Sequence, residues 1–165
     1  MTARIGSVLA VPSALDRATD ALLESSRALV AVAARSLAEV DEIVTLQQYR
    51  ALVVLHERDS AATRDLAVEL GIHASSATRL CDRLVAKELV DRSVSDRDRR
   101  ESVLTLSDAG RALVDQVMLR RREELRAIVR RMSGEELDAA VAGLGAFRRA
   151  VTDDDPAAAG RAGWW

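Results

Sequence analysis

Apolar residues near the start of the chain recur at the spacing of an amphipathic helix. The apolar stripe returns every seven residues, at Leu15, Leu22 and Leu29. This period predicts a long helix over about residues 13–40. Ser13 and Asp16 have nearly the spacing of a capping box, and they mark the start of the helix.

Three further amphipathic segments follow, and a bend separates the last two. The first begins at a second capping pair, Thr45 and Gln48. The next two cover residues 63–70 and 74–87, and Gly71 lies between them, where a residue with positive φ closes a helix. Two short helices that meet at such a bend predict a helix-turn-helix unit.

The pattern then changes to the alternation of strands. Residues 89–94 and 101–106 predict two short strands joined by a charged loop, which is typical of an exposed hairpin. Two more helices follow, capped by Ser107 and by the S-x-x-E box that starts at Ser133. The last residues, 153–165, are small and polar and favour a disordered tail.

Composition limits the classes of function. The chain has 165 residues, 48% of them hydrophobic, which suits one domain with an oligomerisation extension. No apolar run approaches the roughly 20 residues that cross a bilayer, so we expect no membrane partner. The single cysteine, Cys81, excludes an intrachain disulfide and favours the cytoplasm. With only His56 and His73 available, no nucleophile–base set can be assembled, and we expect no enzyme, metal site or cofactor.

The helix after Gly71 has a polar outer face that suits DNA. An α-helix fits the major groove, where short hydroxyl side chains allow close approach and arginine can bind guanine or a phosphate. The candidate DNA-contacting residues on this helix are Ser75, Ser76, Thr78, Arg79 and Arg83. The alternative is an ordinary solvent-exposed face, on which Arg79 pairs with Asp82 or lies beside Arg83.

The loop between the two strands supplies a second set of candidate DNA contacts. These are Arg97, Asp98, Arg99 and Arg100. Arginine at a hairpin tip suits the narrow minor groove, where the potential is most negative, and an aspartate beside it can orient the guanidinium group. The net charge of −2 and pI near 5.8 exclude a general nucleic-acid coat. Residues 63–100 nevertheless hold eight basic and seven acidic residues, so this segment alone has a positive balance.

Together these segments resemble the MarR family of bacterial winged helix-turn-helix regulators. The strongest element is the D-R-R loop at 98–100, followed at a fixed distance by Leu-Thr-Leu-Ser-Asp-Ala-Gly at 104–110. The resemblance implies a mainly α chain with a small β-wing. A winged helix-turn-helix lobe over 45–110 would lie between dimerisation helices at 1–44 and 111–152, ahead of the tail.

The resemblance also implies partners. We expect a homodimer that represses transcription from a pseudo-palindromic double-stranded operator. Ser75 to Arg83 would enter the major groove, and Arg100 beside Asp98 would enter the minor groove. A small aromatic or phenolic effector would bind between the dimerisation helices and the lobe. The candidate pocket residues are Leu22, Tyr49, Val53, His56, Leu113 and Val117.

Three departures from the family pattern stand out, and the first is that Ser76 and Ala77 are smaller than the usual threonine and valine, which loosens the packing expected for this helix. His73 stands where a serine or threonine N-cap is usual, so either His73 or a nearby serine, Ser75 or Ser76, should cap the helix. Glu88 replaces a glycine, so it must adopt another turn geometry or a strained positive φ. Together with the acidic balance, Glu88 favours an alternative function, a winged-helix protein-interaction module without sequence-specific DNA binding.

Overall fold

The structure, a computed structural model, describes residues 13–38, 40, 42–94 and 102–154, with side chains up to residue 151. Within these residues, helices dominate and three short strands form one sheet. The elements are α1 Ala14–Leu37, α2 Leu46–Arg58, β1 Ser60–Ala62, α3 Thr63–Leu70, α4 Ala74–Ala86, β2 Val90–Val94, β3 Ser102–Leu106, α5 Asp108–Val129 and α6 Gly134–Asp154. This order confirms the predicted fold, mainly α with a small β-wing. No helix in the described part of the chain is long and apolar enough to span a membrane.

Local hydrogen bonds begin and end the helices largely where the sequence predicts. At the start of α1 the Ser13 side chain accepts the N–H of Asp16, and the Asp16 carboxylate accepts the N–H of Ser13. Thr45 and Gln48 form the same reciprocal pair at α2. Gly71 ends α3 with φ of 65°, in the left-handed region that glycine adopts without a steric cost.

The predicted cap of α4 is wrong. His73 occupies the N-cap position, but no side chain caps the helix, neither that of His73 nor that of a neighbouring serine. The residue is exposed, so water can bind the free N–H groups of the first turn. The backbone carbonyl of His73 instead accepts the N–H groups of Ser76 and Ala77 at 2.9 and 3.0 Å.

The sheet contains one strand that the sequence did not predict. Its order is β1-β3-β2, with both pairs antiparallel. Leu104, at the centre of β3, lies opposite Ala61 on one side and Arg92 on the other. The short β1 thus ties the start of the helix-turn-helix to the strands of the wing.

The hydrophobic core lies almost entirely in the lobe formed by α2, α3, α4, the sheet and the first half of α5. Leu52, Leu66, Leu84 and Leu104 are all nearly inaccessible to solvent. Cys81 is buried among them, as its inward position predicts, and burial raises the pKa of its thiol. α5 leaves this core after Val117, so its second half projects beyond the lobe.

Helices α1 and α6 bury little within the chain. In α1 only Val32 and Ser36 are buried, and no described residue of α6 is. The helix α6 runs to Asp154, so it extends two residues into the segment predicted as a tail. The remaining residues of that segment, 155–165, lie outside the described residues.

Candidate nucleic-acid interface

The face of α4 that points away from the core carries the predicted DNA-contacting residues. Ser75, Thr78, Arg79 and Arg83 are exposed and Ser76 is half-buried, whereas the opposite face of the helix packs into the core. The Thr78 hydroxyl donates to the carbonyl of Ala74 at 3.0 Å. The structure therefore brings the five helix candidates together on one accessible surface.

The two arginines of this surface are available for an external partner. Within the described residues, the side chains of Arg79 and Arg83 form no hydrogen bond or ion pair. Asp82 does not pair with Arg79, because its carboxylate accepts a 2.7 Å bond from Arg92 of β2. That ion pair links α4 to β2 and leaves the guanidinium groups of Arg79 and Arg83 facing solvent.

A cleft separates these arginines from the start of α2. Its volume is about 440 Å³. The lining residues are Thr45, Gln47, Gln48, Ile72, Ser76, Arg79, Leu80 and Arg83. Two guanidinium groups and the positive end of the α2 dipole make the cleft suitable for an anion such as a phosphodiester. Sequence reasoning missed Gln47, because its proximity to α4 depends on tertiary packing.

The loop candidates fall in a part of the chain that the structure does not describe. Arg97, Asp98, Arg99 and Arg100 lie in the segment 95–101, outside the described residues. The strands on either side of that segment are described, and they pair from Val90 with Leu106 to Val94 with Ser102. The minor-groove role of the loop stays a prediction.

The turn between α4 and β2 is held from two sides. Glu88 has φ of 57°, which confirms the positive-φ alternative predicted for it. Its carbonyl accepts the hydroxyl of Ser107, the N-cap of α5, at 2.6 Å. On the other side, the Lys87 ammonium donates to the carbonyl of Ile43, in the turn between α1 and α2, and to Oε1 of Gln48 at 3.2 Å.

Most of the predicted effector residues belong to the core. Tyr49, Leu113 and Val117 are buried in it, and Val53 packs against it. Leu22 instead lines an apolar groove of about 350 Å³ with residues of α1 and α6, and none of the other five candidates lines that groove. A single chain therefore does not bring Leu22 to the other candidates.

Two buried polar atoms near α5 have no partner in the part of the chain that the structure describes. Among the residues that the structure describes, the Tyr49 hydroxyl and Nδ1 of His56 have no hydrogen bond. Burial raises the pKa of Tyr49, and the charge of Arg121 opposes that rise. Nε2 of His56 lies 3.9 Å from the Asp115 carboxylate. A bound polar molecule could form the hydrogen bonds that these two atoms lack.

Comparisons with known proteins agree with this geometry. Residues 44–101 match the sequence profile of the MarR family. A crystal structure of RV1404 from Mycobacterium tuberculosis is similar, with 41% identity, a TM-score of 0.79, and coverage of 85% of this chain and 96% of that one. The HTH-type transcriptional regulator YfiV of Bacillus subtilis is 28% identical over 108 residues, which are 66% of this chain and 68% of YfiV.

A third match shows the fold alone. It is a point mutant of MepR from S. aureus bound to an oligodeoxyribonucleotide, with 22% identity, a TM-score of 0.63, and coverage of 80% of this chain and 96% of that one. The profile and the curated relatives describe transcriptional regulators rather than enzymes, as the sequence predicts. On its sequence, its winged lobe and these matches, the chain belongs to the MarR family of transcriptional regulators.

Proposed function

We propose that the protein is a homodimeric repressor that binds a pseudo-palindromic DNA operator in a sequence-specific manner and is released by a small molecule. The observation that carries this proposal is the exposed face of α4. The side chains of Arg79 and Arg83 have no partner among the described residues and flank a cleft that fits a phosphodiester. A structurally similar protein, MepR, has been solved bound to an oligodeoxyribonucleotide.

In this proposal α4 enters the major groove. Ser75 and Thr78 allow the helix to approach the base edges, and Arg79 contacts a guanine or an adjacent phosphate. The cleft beside Gln47 holds a backbone phosphate against Arg83, and this contact orients the helix without reading sequence. The loop arginines, with Arg100 foremost, enter the neighbouring minor groove.

The homodimer is supported by apolar surface that the single chain leaves uncovered. Leu15 at the start of α1 is 75% exposed, and Val141 in α6 is 74% exposed. Further exposed apolar residues on α1, on α6 and on the part of α5 beyond the core are Leu22, Leu23, Leu29, Val30, Met118, Leu119, Ile128, Val129, Leu137, Leu144 and Phe147. Exposed patches of this extent mark interfaces. A second copy offers the same apolar helices, so the two chains would cover each other.

Dimerisation would also complete the effector pocket. The partner's helices would bring further walls to the region where the Tyr49 hydroxyl and His56 Nδ1 lack partners among the described residues. A small aromatic or phenolic compound fits these atoms, because its ring packs on apolar walls while its oxygen meets buried polar groups. Binding there would change the angle between the dimerisation helices and the winged lobes, and thereby release the operator.

The DNA-binding proposal is tested by fluorescence anisotropy with a duplex from the gene's own upstream region and a scrambled duplex of equal length. We expect tighter binding to the first duplex and half-site centres about 10 base pairs apart. Arg83→Ala should weaken binding to both duplexes and lower the salt slope by about one unit for each phosphate that the side chain neutralises. Arg111→Ala, an exposed change in the first turn of α5, is the charge-matched control. Equal affinity for both duplexes, or no binding, would overturn the proposal and favour the protein-interaction module.

The oligomeric state is tested separately by sedimentation velocity. We expect the purified chain to sediment as a dimer at micromolar concentration. Val141→Glu should shift it toward the monomer, because a charge buried in an apolar interface without a partner is costly. Val68→Glu, at a residue of α3 that is 78% exposed on the lobe, is the matched control and should leave the dimer intact. A monomeric wild-type protein would refute the assembly.

A further inference from the structure

We propose that Lys87 is a positioning residue that fixes the tilt of the recognition helix against the α1–α2 turn and so sets the half-site spacing that the dimer accepts. This inference rests on the proposed function, because spacing has meaning only for a dimer on DNA. It concerns the only lysine of the chain, at the C-cap position of α4. The side chain is not needed for DNA contact in this scheme.

The contacts of Lys87 join two parts of the fold that are distant in sequence. Its ammonium group donates to the carbonyl of Ile43, which is 44 residues earlier, and to Oε1 of Gln48. Gln48 is itself fixed, because it is only 4% exposed and its Oε1 also accepts the N–H of Thr45 at 3.0 Å. The end of α4 is thus bonded to the point where the chain passes from α1 into the lobe.

The position of Lys87 separates it from the DNA-facing arginines. Arg79, Arg83 and Lys87 follow one another at intervals of four residues, so they lie along one face of α4. The first two line the open cleft, whereas the ammonium group of the third is bonded to other parts of the protein. On this face, the arginines near the middle of α4 are therefore left for DNA, and Lys87 at the C-terminal end anchors the helix to the rest of the protein.

Because α4 is long, a small change of angle at its anchored end produces a large displacement of its other end. A helix of 13 residues is ~20 Å long at ~1.5 Å per residue. A tilt of roughly 10° about the Lys87 end moves the other end by about 3.4 Å, which is one base-pair step along a strand. Each protomer of a dimer makes the same movement, so a loose anchor changes the distance between the two recognition helices.

The opposite side of the α4–β2 turn is already fixed to α5 through Ser107 and the carbonyl of Glu88. Removal of the Lys87 bonds therefore leaves the turn attached on one side only, and α4 gains freedom to tilt rather than to unfold. Lys87 is exposed, so its replacement by methionine creates no cavity. The expected effect is a wider range of accepted spacings in a protein that still folds and dimerises.

The test compares wild type with Lys87→Met, Lys87→Arg and the charge-matched control Arg111→Met. Each protein is titrated by anisotropy with duplexes that carry the preferred half-site spacing or one inserted or deleted base pair. We expect wild type to lose roughly tenfold in affinity on the altered spacings, and Lys87→Met to lose only about two- to threefold. Lys87→Arg keeps the charge and the donors, so it should retain the wild-type discrimination, as should Arg111→Met. Melting temperature and sedimentation confirm that each variant is a folded dimer.

The outcomes separate this inference from the proposed function. A wild-type protein that binds none of the duplexes overturns the proposed function, and one that binds them all with equal affinity overturns the positioning role. If wild type discriminates and Lys87→Met discriminates equally well, the positioning role is wrong while DNA binding stands. The same conclusion follows if Lys87→Met weakens binding equally at all spacings, because that result indicates a phosphate contact. If Lys87→Met fails to fold, Lys87→Gln takes its place, because an amide cannot bond both acceptors as the ammonium group does. Equal discrimination between spacings by Lys87→Gln and wild type then overturns the inference.

Discussion

Replacing Gly110 with alanine tests how closely α5 packs on the α4–β2 turn. A β-carbon at Gly110 would lie 2.0 Å from the carbonyl oxygen of Leu89 and 3.2 Å from a methyl carbon of Leu106. Carbon–oxygen contacts are usually no shorter than about 3.3 Å, so the backbone would have to shift by more than ~1 Å. The same Leu89 carbonyl accepts the N–H of Ser107 at 3.2 Å. The shift would therefore strain the start of α5 as well.

The magnitude follows from three opposing effects. Overpacking against backbone costs roughly 1–3 kcal/mol, and the strained hydrogen bond costs about 1 kcal/mol more. The better helix propensity of alanine offsets about 1 kcal/mol of this. We therefore expect the free energy of unfolding to fall by about 1–3 kcal/mol. For a chain of this length the melting temperature should fall by roughly 3–10 °C.

Calorimetry at one fixed protein concentration measures the effect, because dimerisation would make the melting temperature depend on concentration. Gly134→Ala is the matched control, since a β-carbon built there meets no atom within 4 Å apart from its chain neighbours and the backbone of its own helix. The control should melt at or slightly above the wild-type temperature. A Gly110→Ala protein that melts no lower than wild type would show that the Leu89 carbonyl does not lie over Gly110.

Three other perturbations have defined outcomes. Glu88→Gly should raise the free energy of unfolding by about 0.5–1 kcal/mol in thermal melts, because glycine adopts the observed φ of 57° without a β-carbon clash. A melting temperature below that of wild type would contradict the interpretation that the backbone of Glu88 is strained. Burial raises the pKa values of Cys81 and Tyr49 above their usual 9.0 and 10.0, so the stability that these two groups contribute should be constant below about pH 8 and should be lost as the pH rises above it, where they ionise first in the unfolded chain. The double variant Cys81→Ala, Tyr49→Phe should lack this alkaline decline, and an unchanged decline would assign it to other groups. Arg79→Ala should cost about 1–3 kcal/mol and relax specificity at one operator position if the side chain reads a base, whereas uniform weakening in the anisotropy assay would indicate a phosphate contact.

Features with a local cause could be predicted from the sequence. The reciprocal caps at Ser13 and Thr45 form between residues three positions apart, so a short motif contains both partners. The positive φ of Glu88 could be predicted from the glycine that usually stands there. The exposed polar face of α4 could be predicted from helical period, because the same apolar stripe that buries Leu80 and Leu84 turns the arginines outward.

Features created by tertiary packing left no comparable signal. The strand β1 is three residues long and forms only because Ala61 lies opposite Leu104, more than 40 residues away. Nothing near Lys87 in the sequence indicates that Ile43 and Gln48 will accept its bonds.

Two expectations taken from the family pattern depend on surroundings that the neighbouring sequence does not contain. The pattern predicts a side-chain cap from His73, Ser75 or Ser76, but the helix start is exposed at His73 and its N–H groups are left to solvent. It also groups Leu22 with Tyr49 in one pocket, although folding of the single chain places Leu22 in a different groove. The neighbouring residues in the sequence predict neither the solvent exposure of His73 nor the groove that Leu22 lines.

The central strand β3 has a consequence for how such a regulator can diversify. It is bonded to β1 on one edge and β2 on the other, and the Asp82–Arg92 ion pair fastens α4 to the same sheet. Mutations on the outer face of α4 can therefore alter which bases are preferred without disturbing the geometry of the lobe. Mutations at the attachments of the lobe can alter the architecture of the binding site without altering base preference. Descendants of one ancestral gene could thus acquire new target promoters along two separate routes.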